Sequence, residues 1–345
     1  MTSLLQQAPF WVSVAVFVGA GAIIAVFGIR MTYLARDLAQ ATGLGEAVMG
    51  AVFIGATTSL SGITASATAA AAGEASIAVS NSLGGIAAQT LFLVVGDMVY
   101  RKYNLEFAAA SIENMLMSAQ LMLLLCILSL AFTLPDVALA GVHPASLVLV
   151  LAYLYTVKLL VDAHENPMWL PRMTPGTVVE RAHGGPRTKR EGRLGLTLQF
   201  AVCALAVAGA GWLLSSAGTV VVAATNLSAG VVGGILIAVT TSLPELVVAV
   251  TAIRLGALTL AVGDIVGGNA FDTLFVAVAD VFYREGSIYA AIDTTERLWL
   301  GCAMLMNAVL LVGLMYRERR GLANIGMESW VMSLVYLGVV GLLLA

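Results

Sequence analysis

The chain has 345 residues, of which 60% are hydrophobic and 11% charged, and its formal net charge is −3. Its mean hydropathy is +0.95, whereas a soluble domain carries roughly 25% charged residues. A chain of this length could not hide so much apolar surface from water, so a water-soluble globular protein is excluded and no nucleic-acid partner is expected.

Apolar stretches of about 20 residues recur, each long enough to cross a hydrocarbon core about 30 Å thick. Ten spans are expected, at 8–34, 45–72, 76–100, 107–134, 143–163, 194–216, 220–253, 257–282, 295–316 and 325–345. The first lacks a basic leader and an A-x-A cleavage site, so it is expected to stay as a membrane helix. Charge or turn chemistry marks the breaks, among them Arg36-Asp37, Gly73-Glu74, Pro135-Asp136, Gly256 and Arg284-Glu285-Gly286. The segment from His164 to Arg193 holds Pro167, Pro171, Pro175 and Pro186 and ends in the basic residues Arg187, Lys189, Arg190 and Arg193. It reads as a linker. The expected organisation is all-α and polytopic, with a five-helix repeat over 1–163, a cytoplasmic linker over 164–193 and a second five-helix repeat over 194–345. Cys126, Cys203 and Cys302 each lie inside an apolar run and read as packing residues.

Of the seventeen Lys and Arg residues, fifteen follow odd-numbered spans; only Arg284 and Arg297 do not. The positive-inside rule puts the fifteen in the cytoplasm and both termini on the far side of an inner (plasma) membrane of bacterial type. With an odd number of spans in each half, the second half enters the bilayer from the opposite face, as in an inverted repeat.

A shift of 183 positions tests that repeat. Thr58-Ser59-Leu60 falls on Thr241-Ser242-Leu243, Thr68-Ala69 on Thr251-Ala252, and Gly73 on Gly256. Further along, Gly84-Gly85 falls on Gly267-Gly268, Thr90-Leu91-Phe92 on Thr273-Leu274-Phe275, Asp97 on Asp280 and Tyr100 on Tyr283. Apolar matches are cheap in a membrane protein. Matches of Thr, Ser, Gly, Asp and Tyr in one register are not.

Each repeat thus has a span with Thr-Ser-Leu inside it, a turn, and a span with a Gly-Gly pair. In the second repeat Pro244 should break its helix and free carbonyls near Thr240 and Thr241, which is tolerated at membrane depth where the break lines a polar cavity. Glu245 follows, an ionisable residue inside a span and therefore a functional candidate. Thr241 and Glu245 are four apart and share a face, as do Gly268 and Asp272. Gly267-Gly268 would allow a close helix approach that brings Asp272 toward Glu245. Two carboxylates with hydroxyls and carbonyls make an all-oxygen site suited to hard cations such as Ca²⁺ or Na⁺. The ordinary alternatives are a Thr or Ser bonded to a carbonyl one turn back, a Gly pair that only packs, and an acid paired with an Arg. No basic residue lies inside either repeat's central spans to pair with Glu245 or Asp272. Asp264, near a span entrance, and Asn269 are weaker candidates. Asp97 and Asp280 read as interfacial; Glu74, Glu106, Glu113 and Asp136 as loop or rim charges. His143, His164 and His183 fall in expected loops.

The run Thr240-Thr241-Ser242-Leu243-Pro244-Glu245, followed by Gly263-Asp264-Ile265-Val266-Gly267-Gly268-Asn269-Ala270-Phe271-Asp272, resembles the second α-repeat of the calcium/cation antiporter superfamily, the sodium/calcium exchangers and their relatives. The resemblance extends to both repeats, the ten spans and the central linker. It implies alternating access around a mid-membrane site, with Glu245 and Asp272 as acidic ligands and Thr241 and Ser242 as hydroxyl and carbonyl ligands. In the first repeat it implies roles for Thr58 and Ser59, and for Gln89 where the family usually has Asn or Asp. Gly85 and Gly268 stand where the family commonly has Ser, and Ser61-Gly62 replaces Pro-Glu, so one carboxylate is missing. The implied cargo is Ca²⁺, Na⁺ and/or H⁺, with no cofactor. Two other readings remain, an exchanger of another cation and a transport-inactive scaffold. An intramembrane protease is not expected: position 261 is Ala, so Gly263-Asp264 does not complete a Gly-x-Gly-Asp motif, and no span is expected to carry a His.

Overall fold

The fold, taken from a computed structural model, is described for residues 9–135, 137, 141–174, 176–177, 190–222, 228–322 and 325–345. Asp136, Pro175, His183, Pro186, Arg181, Arg187 and Lys189, and with them most of the basic end of the expected linker, lie outside the described residues.

The first half runs α1 (Phe10–Thr42), α2 (Glu46–Thr58), α3 (Leu60–Ala71), α4 (Ala75–Val99), a short α5 (Leu105–Ala109), α6 (Ile112–Ala131) and α7 (Pro144–Glu165). The second runs α8 (Arg190–Val222), α9 (Ala229–Thr241), α10 (Leu243–Leu255), α11 (Leu258–Phe282, interrupted at Thr273), α12 (Thr294–Tyr316) and α13 (Met327–Leu344). Among the described residues eight helices are long and apolar enough to cross a membrane, and ten spans result when each bent pair, α2 with α3 and α9 with α10, counts as one. The protein is an integral membrane protein of two five-span halves. Most span boundaries fall within a few residues of those expected; α1 and α8 are longer, 33 residues each, and lie along one another.

The register of 183 carries through the architecture. A six-residue π-helical stretch, Met49–Ile54, recurs as Val232–Ile237, and α3, α4 and α7 begin at positions that map onto the starts of α10, α11 and α13. Gly73 and Gly256 match because both take positive φ, +84° and +76°, after the second member of each broken pair. Only glycine holds that conformation without a Cβ clash.

Both broken pairs bend, by 42° and 43°. Pro244 accounts for the second: it sits in the first turn of α10, where a missing N–H is tolerated. The first pair breaks at Ser59 without a proline, which the sequence reading did not foresee. Hydroxyls do the work there. Thr57 Oγ1 donates to the Phe53 carbonyl (2.6 Å) and Thr58 Oγ1 to those of Ile54 (3.1 Å) and Gly55 (3.2 Å). Such back-bonding competes with the amide ladder and bends helices. It follows a π stretch, in which the ladder is already displaced.

The halves interlock through glycine. α2 packs on α11 and α9 on α4, each half presenting its π stretch to the other half's most buried helix. A Cβ on Gly267 would collide with the Ala51 backbone, and one on Gly84 with that of Gly234. The expected glycine approach is therefore real, but Gly267 and Gly268 admit α2 rather than α10. Gly267→Ala is expected to cost about 3 kcal/mol or more through overpacking against backbone, seen as a large drop in Tm in detergent. Gly301→Ala, which meets nothing within 4 Å, is expected to leave Tm unchanged or slightly raised.

Candidate cation site

The two breaks and the two central helices α4 and α11 converge on a polar cluster in which every expected site residue is buried. Thr58, Ser59, Gln89, Thr241, Ser242, Glu245 and Asp272 are all at most 4% exposed. Glu245 lies in the first turn of α10, just past the break. Ser59, at the break of the other half, donates to Glu245 Oε1 (3.3 Å) and also acts on Asp272. Gln89, on α4, uses both hydrogens of its amide nitrogen, one toward Asp272 Oδ2 (2.6 Å) and one toward Ser242 Oγ (3.1 Å). Gln89 and Asp272 are repeat-related, as are Ser59 and Ser242, so the cluster carries the approximate two-fold symmetry of the chain.

Some expected ligands are committed elsewhere. The Thr241 carbonyl accepts from Ser61 Oγ (3.0 Å), and Thr241 Oγ1 donates to the Ala238 carbonyl (3.1 Å) and to Asn81 Oδ1 (3.3 Å). The Asp272 carbonyl accepts from Ser82 Oγ (2.7 Å), and the Gly62 carbonyl from Asn81 Nδ2 (3.1 Å). Of these carbonyls only that of Thr241 lies at one of the two breaks, and a side chain of the partner repeat already holds it.

Asp264, the seventh residue of α11, is fully buried, and neither of its carboxylate oxygens has a partner among the described residues. Its charge and those of Asp272 and Glu245 act on one another. The register of 183 pairs Asp264 with Asn81, a polar-on-polar match inside two apolar helices. Counting similar as well as identical pairs would have found it in the sequence.

The unpartnered atoms are of one kind. Glu245 Oε2, Asp272 Oδ1, Gln89 Oε1, Asn269 Oδ1 and both oxygens of Asp264 are buried acceptors with no donor among the described residues. Buried polar groups are normally satisfied, and leaving one bare costs about 1–3 kcal/mol. No group of three or more His, Cys, Asp or Glu side chains among the described residues is placed to hold a metal ion. A cation bound here would take most of its ligands from hydroxyl, amide and carbonyl oxygens.

Glycine shapes the rest. A Cβ on Gly268 would stand 3.2 Å from Gln89 Oε1 and 3.7 Å from Ser59 Oγ, and one on Gly85 3.5 Å from Asp272 Oδ2. Both glycines therefore face the cluster. Gly268→Ser is expected to fold with a Tm close to that of the parent and to give the bare Gln89 oxygen a donor. Gly62, the repeat partner of Glu245, faces the Phe275 ring, 2.8 Å from a Cβ placed there to Cζ. The position where a second acid would enter is filled by a buried aromatic ring.

The histidines flank helix ends. His143 is buried as the N-cap of α7, its Nδ1 accepting from the Ala145 amide (3.1 Å). His164 sits in the last turn of α7 within 2.9 Å of Glu113, so it is helical rather than in a loop. Cys126, Cys203 and Cys302 are free.

The sequence model of the family described as sodium/calcium exchanger protein matches residues 12–161 and again 195–345. Among solved structures, the sodium-calcium exchanger NCX_Mj soaked with 10 mM Na⁺ and zero Ca²⁺ is similar, with a TM-score of 0.66, 18% identity and coverage of 96% of this chain and 99% of that one. The same exchanger soaked with 2.5 mM Na⁺ and 0.1 mM Ca²⁺ gives a TM-score of 0.64 at 19% identity, over 96% and 98% of the two chains. No curated protein matches the chain.

Proposed function

The chain belongs to the sodium/calcium exchanger protein family, and from that premise we propose that it is a secondary antiporter that carries Ca²⁺ against Na⁺ or H⁺ through the cluster around Glu245, Asp272 and Gln89. The observation that carries this reading is the set of bare acceptor oxygens on Glu245, Asp272, Gln89, Asn269 and Asp264 at the meeting of the two breaks. Buried acceptors without donors call for a cation or a proton. Glu245 and Asp272 supply charge; Ser59, Ser242, Thr58 and Thr241 supply hydroxyls around them. The two bent pairs supply the moving parts, since each joins helix segments that can tilt about a break.

The first repeat tunes the cargo. Gly62 contributes no carboxylate and Gln89 is neutral, so the site holds a divalent ion with less charge than one with an acid from each repeat. Divalent affinity falls as the ligand charge falls. That favours H⁺ as the coupling ion, with Glu245 taking a proton when Ca²⁺ leaves. Flux that is indifferent to a pH gradient and follows a Na⁺ gradient would overturn the coupling, though not the antiport. In the orientation proposed, the basic ends of the odd-numbered spans and the segment between α7 and α8 face the cytoplasm.

The test is cation flux in proteoliposomes under imposed Na⁺ and pH gradients, with Glu245→Gln beside the parent. Flux in the parent that is absent from the variant supports the reading.

A further inference from the structure

A second buried acidic cluster lies away from the transport cluster, where the ends of α4 and α12 meet α5 and the start of α13. Glu106, on α5, is 1% exposed and neither of its carboxylate oxygens has a partner. Glu328, on α13, is buried with Oε2 bare. Both face one point: a Cβ on Gly326 would stand 2.8 Å from Glu328 Oε2 and 3.4 Å from Glu106 Oε2. The third acid, Asp97 at the end of α4, is satisfied, accepting from the amides of Leu105 (2.8 Å) and Gly326 (2.7 Å) and from Ser329 Oγ (3.1 Å). This corrects two expectations: Glu106 is not a rim charge, and Asp97 is a buried corner rather than an interfacial residue.

The repeat supplies an internal control. Shifting by 183 carries Asp97 to Asp280, Gly326 back to His143, and Ser329 back to Ser146. At that second corner Asp280 Oδ2 accepts from the His143 amide (2.7 Å) and from Ser146 Oγ (2.7 Å). Glu106 maps to Tyr289, and Glu328 maps to Ala145. One scaffold is therefore built twice, once with Tyr and Ala and once with two glutamates. The corner does not need the glutamates to fold.

Glu106, bare at both oxygens, and the bare Oε2 of Glu328, turned to the same point, need either a cation or a proton. The groups around Glu106 decide between them. Asp97 from α4, Glu318 after α12 and Glu328 from α13 all act on it as like charges. α11, also packed on α5, carries Asp264, Asp272 and Asp280, the last held at the second corner by the His143 amide and Ser146. Arg317 and Arg319 both adjoin Glu318: Arg317 points its guanidinium to the Phe107 carbonyl (2.9 Å), the Arg172 carbonyl (2.6 Å) and Thr177 Oγ1 (2.6 Å), and the Arg319 guanidinium lies over the Tyr103 ring at 5.5 Å. No three acids here are placed to hold a metal ion, among the described residues. We propose that Glu106 and Glu328 form a second proton-binding site, separate from the transport cluster, whose proton holds α5 against the start of α13. Burial and the neighbouring carboxylates push the Glu106 carboxyl up to about 8, so the proton is held at neutral pH and released in mild alkali. Phe107, next to Glu106, is tied through Arg317 to Arg172 and Thr177 in the segment after α7. Loss of the proton, leaving two carboxylates face to face, would therefore loosen that segment as well. Glu318 and Glu328 both border a cleft of about 440 Å³ between α12 and α13, a route for the proton.

The sign is fixed by linkage. The folded value of about 8 lies above the ordinary glutamate value of about 4.3, so the folded state binds the extra proton between them. The stability is present at low pH and lost as pH rises through about 8. The test is infrared titration of the protonated-carboxyl band, with Tm read in parallel, on the full chain in detergent without added metal. The parent is expected to lose a band near pH 8 and to fall in Tm across the same interval. Glu106→Tyr and Glu328→Ala, which copy the second corner, are expected to fold, to lack that band and to hold Tm flat there. A band that persists in both variants, or one displaced by added Ca²⁺ alone in the parent, would overturn the proposal. Neither readout depends on transport, so this result stands or falls apart from the antiport reading.

Discussion

Glu245→Gln is expected to reduce cation flux by at least two orders of magnitude while leaving the protein folded. Glu245 is 1% exposed; Ser59 Oγ donates to its Oε1 (3.3 Å), and the Thr58 hydroxyl also acts on the carboxyl. Its Oε2 has no partner. Glutamine keeps the shape and removes the charge. Removing one partner from a buried ion pair costs about 3–5 kcal/mol, and each 1.4 kcal/mol is about tenfold in affinity. The expected loss is therefore about two to three and a half decades. Stability should move the other way. Without cation the parent must either protonate a buried carboxylate or bear it uncompensated, and the variant does neither. The Tm of the cation-free variant is expected to equal or exceed that of the cation-free parent, and the rise in Tm that added cation gives the parent should disappear.

Gly62→Glu separates ligand charge from packing. Alone, it places a side chain where the Phe275 ring stands, with ring atoms within 2.8 Å of the new Cβ. Phe275 is 2% exposed and stacks edge-on with Phe271 at 6.4 Å, so it has little room to yield. Overpacking of this kind typically costs about 1–3 kcal/mol and sometimes more. The single variant is expected to lose Tm and yield without gaining transport. Phe275→Ala alone opens a cavity, at about 3–5 kcal/mol. Combined, the two changes exchange a ring for a carboxylate in one space. They should be less destabilising together than the sum of the singles, by about 0.5–3 kcal/mol. The double variant then carries an acid from each repeat. Two opposite unit charges about 4 Å apart interact by about 4 kcal/mol at an effective dielectric near 20, so Ca²⁺ affinity is expected to rise at least tenfold. Isothermal titration of the singles and the double reads both effects.

Much of this fold is legible in the sequence because the chain states it twice. The ten spans follow from apolar length, and the register of 183 follows from Thr-Ser-Leu, the Gly-Gly pair and the Asp and Tyr matches. Gly73 and Gly256 match for a reason the structure supplies, their shared positive φ. The family resemblance pointed to Ser59, Gln89, Ser242, Glu245 and Asp272, and the fold brings these together around shared hydrogen bonds.

What was not legible depends on contacts between distant segments. The break at Ser59 has no proline; it arises from threonine hydroxyls whose carbonyl partners sequence does not reveal. The ring that fills the space at Gly62 comes from residue 275, and no local pattern joins the two. Glu106 reads as a loop charge beside a span end, because only the packing of α4, α11 and α12 around α5 shows that it is buried. Asp264 is matched across the repeat by Asn81, a similar rather than an identical residue, so identity alone does not mark it.

The antiport reading is tested most directly by ⁴⁵Ca²⁺ uptake into proteoliposomes, driven in turn by an outward Na⁺ gradient and by a pH gradient, for the parent and for Glu245→Gln. The account predicts uptake in the parent that follows one imposed gradient and is absent from the variant. Equal uptake in the two proteins, or none in folded parent under either gradient, would contradict it.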